Sequence, residues 1–504
     1  MKKIFLAIIA TAFFFTSCEI ETDLEVENFN DPGYSQVLSN SEDLEKILVG
    51  SFTRVIDIQT TTRSIGYLLQ ADQLTTTNNV LQFWHFAFQP RKQFVNSPNF
   101  YGIQFATVPW NSAYDGIRGA NHVIRWIEGE NKPFIIDGVD KSEEALASAY
   151  FIKGMAEGTL SSVFDKAYIV NWDSTLEELQ VQRPASELLA AAISDLDKAI
   201  ALTNSAKSSF SNSYMINITL DKTRFSQVIN SFAARIIMSA PTTKAEALNT
   251  DFAKALTYAN NGITSDFSIK TKPGSWYSGI VHWGEYYFSS RDAAYIQADI
   301  KIHHLMDSSY PQDYPDAGIL APVTSADPRT SYFTYGTSFG ILSAARDRSL
   351  FSNYRTSRWN KAKIFIGSDS NYDNMVFLKA ELDYIKAEAT LKTAGPAAAA
   401  AILNSSPRKT IGGITTGSSY AEVMKALHYE YSVELQLAGS GYIQWSFMKR
   451  NDLLQLGTQT LMPIPVTELE SQGILDVYTF GGATATGVGT ALTQGWKDES
   501  SYNQ

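Results

Sequence analysis

The sequence is poor in cysteine, histidine and charge. Its 504 residues include one cysteine and six histidines, and only 18% of them are charged. A single cysteine excludes a disulfide framework and any zinc or iron–sulfur site built on several cysteines. No H-E-x-x-H motif and no phosphate-binding glycine loop occurs. The net charge of −11 disfavours a general nucleic-acid binder. We expect no cofactor and no metal site.

Long apolar runs are also scarce, and the one at the N-terminus predicts export. Ile4 to Phe15 follows the basic start Met1-Lys2-Lys3. The run is shorter than the roughly 20 residues that span a bilayer, so residues 1–17 fit a signal peptide rather than a membrane helix. It leads into Cys18, the only cysteine. This arrangement resembles a bacterial lipoprotein processing site, at which Cys18 becomes lipidated; an ordinary signal peptide with an incidental cysteine is the alternative.

Residues 18–38 form an acidic stretch after that cysteine. Glutamate or aspartate alternates with other residues here, at Glu19, Glu21, Asp23, Glu25 and Glu27. Such a stretch is typical of a solvated linker. It also resembles the surface-export signals of Bacteroidetes lipoproteins, which would place the protein body outside the cell. Lipid chains would then be the only membrane attachment, each buried methylene adding about 0.8 kcal/mol.

Helical periodicity dominates the chain beyond residue 38. Ser39 to Glu42 has capping-box spacing and predicts the first helix. Apolar residues then recur at intervals of three or four along further segments, which begin near Trp110, Leu146, Leu189, Phe225, Phe252, Leu378 and Tyr420. The pair of helices in residues 225–262 resembles a degenerate tetratricopeptide unit.

Two long irregular regions interrupt the helices. Residues 66–110 and 263–375 lack helical spacing and are rich in polar and aromatic residues. Loops of this length in a compact domain are usually functional. We predict a mainly α fold, in which tetratricopeptide-like helical pairs support a large irregular half. The predicted parts are 39–262 and 263–504, and the Gly/Ala/Thr-rich tail from Gly481 is expected to be mobile.

Signals for an enzyme are weak. Gly336 to Gly340 matches G-x-S-x-G, but the only later histidine is His428, in a predicted helix. His303 and His304 are adjacent, so on a helix they point to different faces and cannot easily share an ion. Paired carboxylates for glycoside hydrolysis stay open, because such a pair is close in space and not in sequence.

Several motifs, in order, resemble those of the SusD/RagB family of Bacteroidetes outer-membrane lipoproteins. Trp110 to Asn121 looks like the family's W-x-x-x-Y-x-x-I-x-x-A-N helix. Later segments that match family elements are Asp327-Pro328-Arg329, Ala387-Glu388-Ala389, Ala398 to Asn404, Glu430 with Glu434-Leu435, and Met462 to Pro465 with Glu468-Leu469. Lys153 and Tyr431 stand where the family usually has arginine, and the usual C-terminal N-P-G-Y is missing.

The resemblance implies a surface-exposed outer-membrane lipoprotein that binds a glycan. It would deliver the glycan to a SusC-like TonB-dependent transporter without bond chemistry, as part of polysaccharide utilization. Family members tend to hold sugars in loops that correspond to the two irregular regions. Sugar rings stack on Trp and Tyr while amides and carboxylates fix the hydroxyls. The candidate glycan-binding residues are Asp72, Asn78, Trp84, Trp276, Tyr277, Trp283 and Tyr286. Many such aromatics instead form core under long loops.

Two other functions stay open. One is a surface-anchored glycoside hydrolase. The other is a docking scaffold for the barrel, with a peptide, another nutrient or no ligand in the loops. Turnover of a glycan would favour the first alternative. Exposed aromatic patches would disfavour the second, because docking alone does not need them.

Overall fold

The structure, a computed structural model, describes residues 40–60, 65–76, 82–270, 296–315, 319–337, 352–358, 373–438 and 441–504. Helices dominate these ranges, which confirms the predicted mainly α fold. In chain order they are α1 Ser41–Thr60, α2 Ile65–Gln70, α3 Trp84–Ala87, α4 Gln104–Ile124, α5 Ser142–Val163, α6 Ala185–Ser205, α7 Lys222–Ser239, α8 Lys244–Ala247, α9 Phe252–Asn260, α10 Ile300–Met306, α11 Lys379–Thr393, α12 Pro396–Leu403, α13 Pro407–Thr410, α14 Tyr420–Val433, α15 Tyr442–Arg450 and α16 Val466–Ser471.

Helices that follow one another in the chain pack side by side. α1 lies against α4, α4 against α5, and α5 against α6, and the series continues through α7 and α9 to α11. α5 is central to the row, and its buried residues extend from Glu144 to Val163 on all faces of the helix. α9 and α11 therefore meet across the predicted boundary at residue 262/263. One continuous apolar core fills the row, and a smaller cluster forms around α10 and Tyr354.

Predicted caps set several helix starts. Asp251 accepts a hydrogen bond from the Lys254 backbone and opens α9. Ser419 and Glu422 form the predicted reciprocal capping box of α14. At α1 the cap lies one residue later than predicted, because Asn40 Oδ1 accepts the hydrogen bond of the Asp43 amide at 2.9 Å.

Helix α4 begins at Gln104, six residues before the predicted start at Trp110. Pro109 lies inside the helix and obscured the pattern, since proline has no amide to donate to the carbonyl four residues earlier. That carbonyl, Phe105 O, instead accepts a hydrogen bond from the buried Tyr67 hydroxyl at 2.8 Å. A side chain from α2 thus replaces the helical bond that proline removes.

The strands are short and form two-stranded antiparallel sheets. The pairs are β1 Leu74–Thr75 with β9 Gln297–Ala298, β2 Ile135–Ile136 with β3 Val139–Asp140, β4 Lys166–Tyr168 with β5 Gln182–Pro184, β6 Ser211–Met215 with β7 Ile218–Asp221, β8 Phe267–Lys270 with β12 Asp373–Phe377, and β10 Phe333–Tyr335 with β11 Tyr354–Thr356. Pairs such as β1–β9 tie the two irregular regions together.

Buried ion pairs join the helices at motif positions. Arg450 of α15 makes hydrogen bonds of 2.8 and 2.6 Å to the two carboxylate oxygens of Glu388, the acid of the Ala-Glu-Ala segment. Lys153 of α5 lies 3.0 Å from Glu157 and 2.5 Å from Asp195 of α6. Removing one partner from such a buried pair destabilises a fold strongly. These motif residues therefore act in the interior of the helical row.

The tail after Gly481 is packed against the body, so the expectation of a mobile tail was wrong. Trp496 and Tyr502 are each only 3% exposed. The Trp496 indole N–H donates to Asp72 at 2.9 Å, and the Tyr502 hydroxyl lies 2.7 Å from His428 Nδ1. Large aromatic side chains hold the segment despite its glycine-rich composition. Within the described ranges, no helix combines the length and the apolarity that crossing a bilayer requires.

Candidate functional site

The short helix α3 is anchored by Phe83, directly before it, and by Phe86 within it. Phe83 and Phe86 are 1% and 2% exposed. Their rings lie 5.7 and 4.8 Å from the ring of Phe105 in α4. These two phenylalanines therefore belong to the core. Trp84, between these two anchors in the sequence, stays partly exposed.

Trp84, Phe88 and Lys92 form a partly exposed group, which we call the Trp84 surface. The rings of Trp84 and Phe88 meet edge to face at a centroid distance of 5.6 Å. The Lys92 ammonium lies 3.5 Å from the Phe88 ring centroid and 5.6 Å from that of Trp84. An indole face beside a cation can stack on the C–H face of a sugar while the ammonium donates to a hydroxyl.

His85 stabilises the base of this surface. Its Nε2 lies 2.8 Å from the carbonyl oxygen of Gln93, and its ring packs against Phe100 at 4.8 Å. Burial, with a smaller contribution from Lys92, lowers the pKa of His85 despite the Gln93 contact. The imidazole is therefore neutral at neutral pH and acts as a packing group beneath the Trp84 surface.

Asp72 lies in the interior, in contrast to its predicted place in a ligand site. It is 1% exposed and forms a buried ion pair with Arg91. Its other oxygen accepts hydrogen bonds from Gln455 at 2.8 Å and Trp496 at 2.9 Å. Burial opposes ionisation, but Arg91 and further cations outweigh it and hold the pKa of Asp72 below its usual value. No face of this carboxylate is open to a ligand, so Asp72 joins chain segments and does not face a binding site.

The remaining predicted residues lie outside the described part of the chain. They are Cys18, Asn78, Trp276, Tyr277, Trp283 and Tyr286. Ser338 of the G-x-S-x-G segment is also outside it. Of the predicted glycan-binding residues, the structure therefore places Trp84 at the surface and Asp72 in the interior.

The two adjacent candidate histidines differ in burial, since His304 is partly exposed. His303 is fully buried and stacks on the Tyr354 ring at 3.7 Å, and burial lowers its pKa to about 3. His304 Nδ1 lies 2.6 Å from the Tyr310 carbonyl oxygen. The two rings therefore make separate contacts, as adjacent helical positions predict. Among the residues with a described placement, no group of three histidine, cysteine or acidic side chains is arranged to hold a metal ion.

A dense carboxylate cluster among the described residues surrounds a buried arginine rather than a cleft. Arg329 pairs with Asp327, Glu430 and Glu434 at 2.8, 2.7 and 3.1 Å. All of these side chains are at most 4% exposed. Glycoside hydrolysis needs two carboxyl groups that flank a bound sugar. These carboxylates instead face a guanidinium in the interior, where they join α14 to the Asp-Pro-Arg turn.

A cleft that the sequence analysis did not identify lies between α4 and the segment 170–179. Its volume is about 400 Å³, and it is lined by aromatic, basic and amide side chains. Trp172 on its wall is 39% exposed. The sequence signal was present, since Asn121 and Tyr114 of the quoted α4 motif both line the cleft.

Comparisons based on sequence find no relatives. No protein-family model matches the chain. No curated protein matches it either.

Comparison of the structure with solved structures finds many with a similar fold. A SusD-like protein from Bacteroides fragilis has a TM-score of 0.62 and 12% identity, covering 88% of this chain and 98% of that one. A SusD-like carbohydrate-binding protein from Bacteroides vulgatus has a TM-score of 0.55 and 16% identity, with 82% and 84% covered. Surface glycan-binding protein A from Bacteroides thetaiotaomicron, in complex with laminarihexaose, has a TM-score of 0.57 and 13% identity, with 87% and 99% covered. The chain therefore has a SusD-like fold, as its motifs predicted.

Proposed function

We propose that this protein is a surface lipoprotein of the SusD/RagB type that binds a glycan and passes it to a SusC-like TonB-dependent transporter. The observation that most directly supports glycan binding is the Trp84 surface on a SusD-like fold. A partly exposed indole beside Phe88 and Lys92 offers stacking and hydrogen bonding in one place. Solved proteins of this fold include a carbohydrate-binding protein and a glycan complex.

The site extends to the other predicted loop in our proposal. Trp276, Tyr277, Trp283 and Tyr286 would supply further stacking faces, and Asn78 a hydrogen-bonding amide. Glycan sites commonly combine several aromatic platforms with a few polar groups. Strand β9, which begins at Gln297, pairs with β1 at Leu74–Thr75. This pairing places Gln297, which follows the predicted aromatic residues in the sequence, beside Thr75, which precedes Asn78, and so supports a shared site.

Attachment to the outer membrane would come from lipidation of Cys18. The acidic stretch 18–38 would separate the lipid from α1 and the helices that follow it. The body would then face the cell exterior and lie against the transporter. Metabolic labelling with a palmitate analogue tests this directly. Label should be incorporated into the full-length protein in its host and lost in Cys18→Ala.

The protein acts without bond chemistry in this proposal. The described carboxylate cluster at Arg329 is occupied by cations, and the buried histidines His303 and His428 are 0% exposed. General acid–base catalysis needs a group within reach of substrate. The glycan would therefore be released from the protein with its bonds intact.

Affinity electrophoresis of residues 19–504 against a panel of polysaccharides tests the proposal. We expect one glycan to retard the protein, Trp84→Ala to abolish or weaken the retardation, and no reducing ends to be released. Reducing ends released by the purified protein would contradict the non-catalytic role. No retardation by any glycan would contradict glycan binding and would favour a docking role or another nutrient.

A further inference from the structure

The cleft beside α4 has the residue types of a small-molecule site. Arg118 and His122 of α4, and Arg125 directly after it, recur at intervals of four and three, so these basic side chains form a stripe along one face. All three line the cleft. Its volume of about 400 Å³ lies in the range of pockets that hold small ligands.

The opposite wall is an ordered loop that presents Trp172. The Asn171 amide donates to Ser174 Oγ at 3.0 Å, and the Ser174 amide donates back to the Asn171 carbonyl at 3.2 Å. Gly129 permits the close approach of the indole, since a Cβ there would meet the Trp172 ring at 2.8 Å. Trp172 nevertheless remains 39% exposed. An indole that is fixed in position by its loop but remains exposed is suited to stacking on the C–H face of a sugar.

Asn121 lies between the two walls and has an unused acceptor. It is 6% exposed, and its Nδ2 donates to the Val170 carbonyl at 2.9 Å, which joins α4 to the loop. Its Oδ1 is buried and has no hydrogen-bond partner in the structure. Buried polar atoms of native proteins are nearly always hydrogen-bonded, so this oxygen points to a missing donor. A ligand hydroxyl in the cleft would be such a donor.

The charges of the cleft favour an acidic ligand. Two arginines and one aspartate, Asp115, line it in a chain whose net charge is −11. Arg118 pairs with Asp115 at 2.5 Å and Arg125 with Glu130 at 3.1 Å, but both arginines are exposed. Exposed pairs are weak, so a ligand carboxylate can replace these partners. Guanidinium groups bind carboxylates in a bidentate manner.

We propose that this cleft is a second ligand site, which takes a sugar residue that carries a carboxylate group. Arg118 and Arg125 would bind the carboxylate, Trp172 would stack on the ring and Asn121 would accept from a hydroxyl. The sugar class rests on the proposed function. The site itself is distinct from the Trp84 surface, because it is built on α4 and residues 170–179.

Fluorine NMR of residues 19–504 labelled with 5-fluorotryptophan tests this site. Trp172→Phe and Trp84→Phe assign the two resonances. Trigalacturonate is the acidic probe, and its methyl ester is the uncharged control of matching shape. We expect the acid to shift the Trp172 resonance, and the shift to persist in Trp84→Ala. The double variant Arg118→Gln, Arg125→Gln should weaken binding at least about tenfold, as the loss of charge-assisted bonds predicts.

Leu176→Ala is the matched control, since Leu176 is 80% exposed on the same loop and does not line the cleft. It should leave the affinity unchanged. A Trp172 resonance that stays fixed up to about 10 mM trigalacturonate, enough to detect millimolar binding, would overturn the inference. Equal affinity for the methyl ester, or full affinity in the double arginine variant, would overturn the choice of an acidic sugar. Failure of the proposed function would be detected separately, as no retardation in the polysaccharide panel and no shift of the Trp84 resonance.

Discussion

Arg329 and Glu430 are 101 positions apart in the sequence, yet the Arg329 guanidinium donates to both carboxylate oxygens of Glu430, at 2.7 and 3.0 Å. Arg408 lies 3.2 Å from the same carboxylate, and the Tyr384 hydroxyl donates to it at 2.7 Å. Bidentate, charge-assisted bonds in a dry interior are strong and specific in geometry. Segments that look unrelated in sequence are thus held together at one buried carboxylate.

Arg329→Met should destabilise the protein by about 3–5 kcal/mol, because it leaves buried carboxylates without their main cation. Urea unfolding followed by circular dichroism measures the loss. Lys254→Ala is the matched control, because Lys254 and Asp197 form an exposed pair at 3.1 Å. Its effect should be within about 1 kcal/mol. An Arg329→Met variant as stable as the control would contradict the structural role of the cluster.

Trp496→Ala should loosen the C-terminal tail and cost about 3–5 kcal/mol, the usual range for truncating a buried tryptophan. The substitution also removes a donor from the buried Asp72 carboxylate. Hydrogen exchange at residues 68–76 should accelerate together with exchange in the tail. Leu492→Ala, at a side chain that is 57% exposed, should leave both unchanged. Fast exchange of the wild-type tail would contradict the packing.

Tyr67 and Pro109 should be energetically coupled through Phe105 O. Tyr67→Phe removes the hydroxyl that satisfies this buried carbonyl, at a cost of about 1–3 kcal/mol. Pro109→Ala restores an amide that can donate to the same carbonyl. A double-mutant cycle by thermal unfolding should therefore show a smaller cost of Tyr67→Phe in the Pro109→Ala background. Equal costs in both backgrounds would argue that the hydroxyl does not replace the helical bond.

Lys449 should make stability depend on pH. Burial, reinforced by the neighbouring Arg450, lowers its pKa from 10.5 to about 7. The unfolded chain therefore binds more protons than the native one between about pH 7 and 10, and the free energy of unfolding rises with pH in that window. The contribution is at most about 1.4 kcal/mol per pH unit. Below pH 7 both states hold the proton and this contribution levels off.

Lys449→Met removes this titration while keeping an unbranched apolar chain beside Trp445. Unfolding measured by urea between pH 7 and pH 10 should show a smaller rise for the variant than for wild type. Parallel profiles for the two proteins would show that Lys449 titrates alike in the folded and unfolded states. The measurement does not depend on any ligand.

Much of the helical row could be predicted because its signals are local. The apolar spacing of α5, and the side-chain caps of α9 and α14, can each be read from a single segment. The start of α4 was hidden, because the carbonyl freed by Pro109 is satisfied by Tyr67 from another segment. The packing of the tail was missed for a similar reason, as its anchors Trp496 and Tyr502 bind residues 424 and 74 positions away.

The site was predicted less well than the fold. Trp84 is partly exposed as a site residue requires, but Phe83, next to it, and Phe86, in the same short helix, belong to the core. Composition cannot separate these roles, because exposure depends on which side of α3 meets α4. The burial of Asp72 could not be predicted either, because its partner Trp496 comes from the far end of the chain. The cleft at Trp172 needs two distant segments and is visible only in the fold.

The most direct test of glycan binding is titration calorimetry with the polysaccharide that retards the protein. Trp126→Ala is the matched control, because Trp126 is also partly exposed and lies beneath a lysine, with Lys132 Nζ 4.3 Å from its ring. Trp84→Ala should weaken binding at least about tenfold, while Trp126→Ala should leave it unchanged. Wild-type affinity in Trp84→Ala, or equal losses in both variants, would contradict a glycan site at the Trp84 surface.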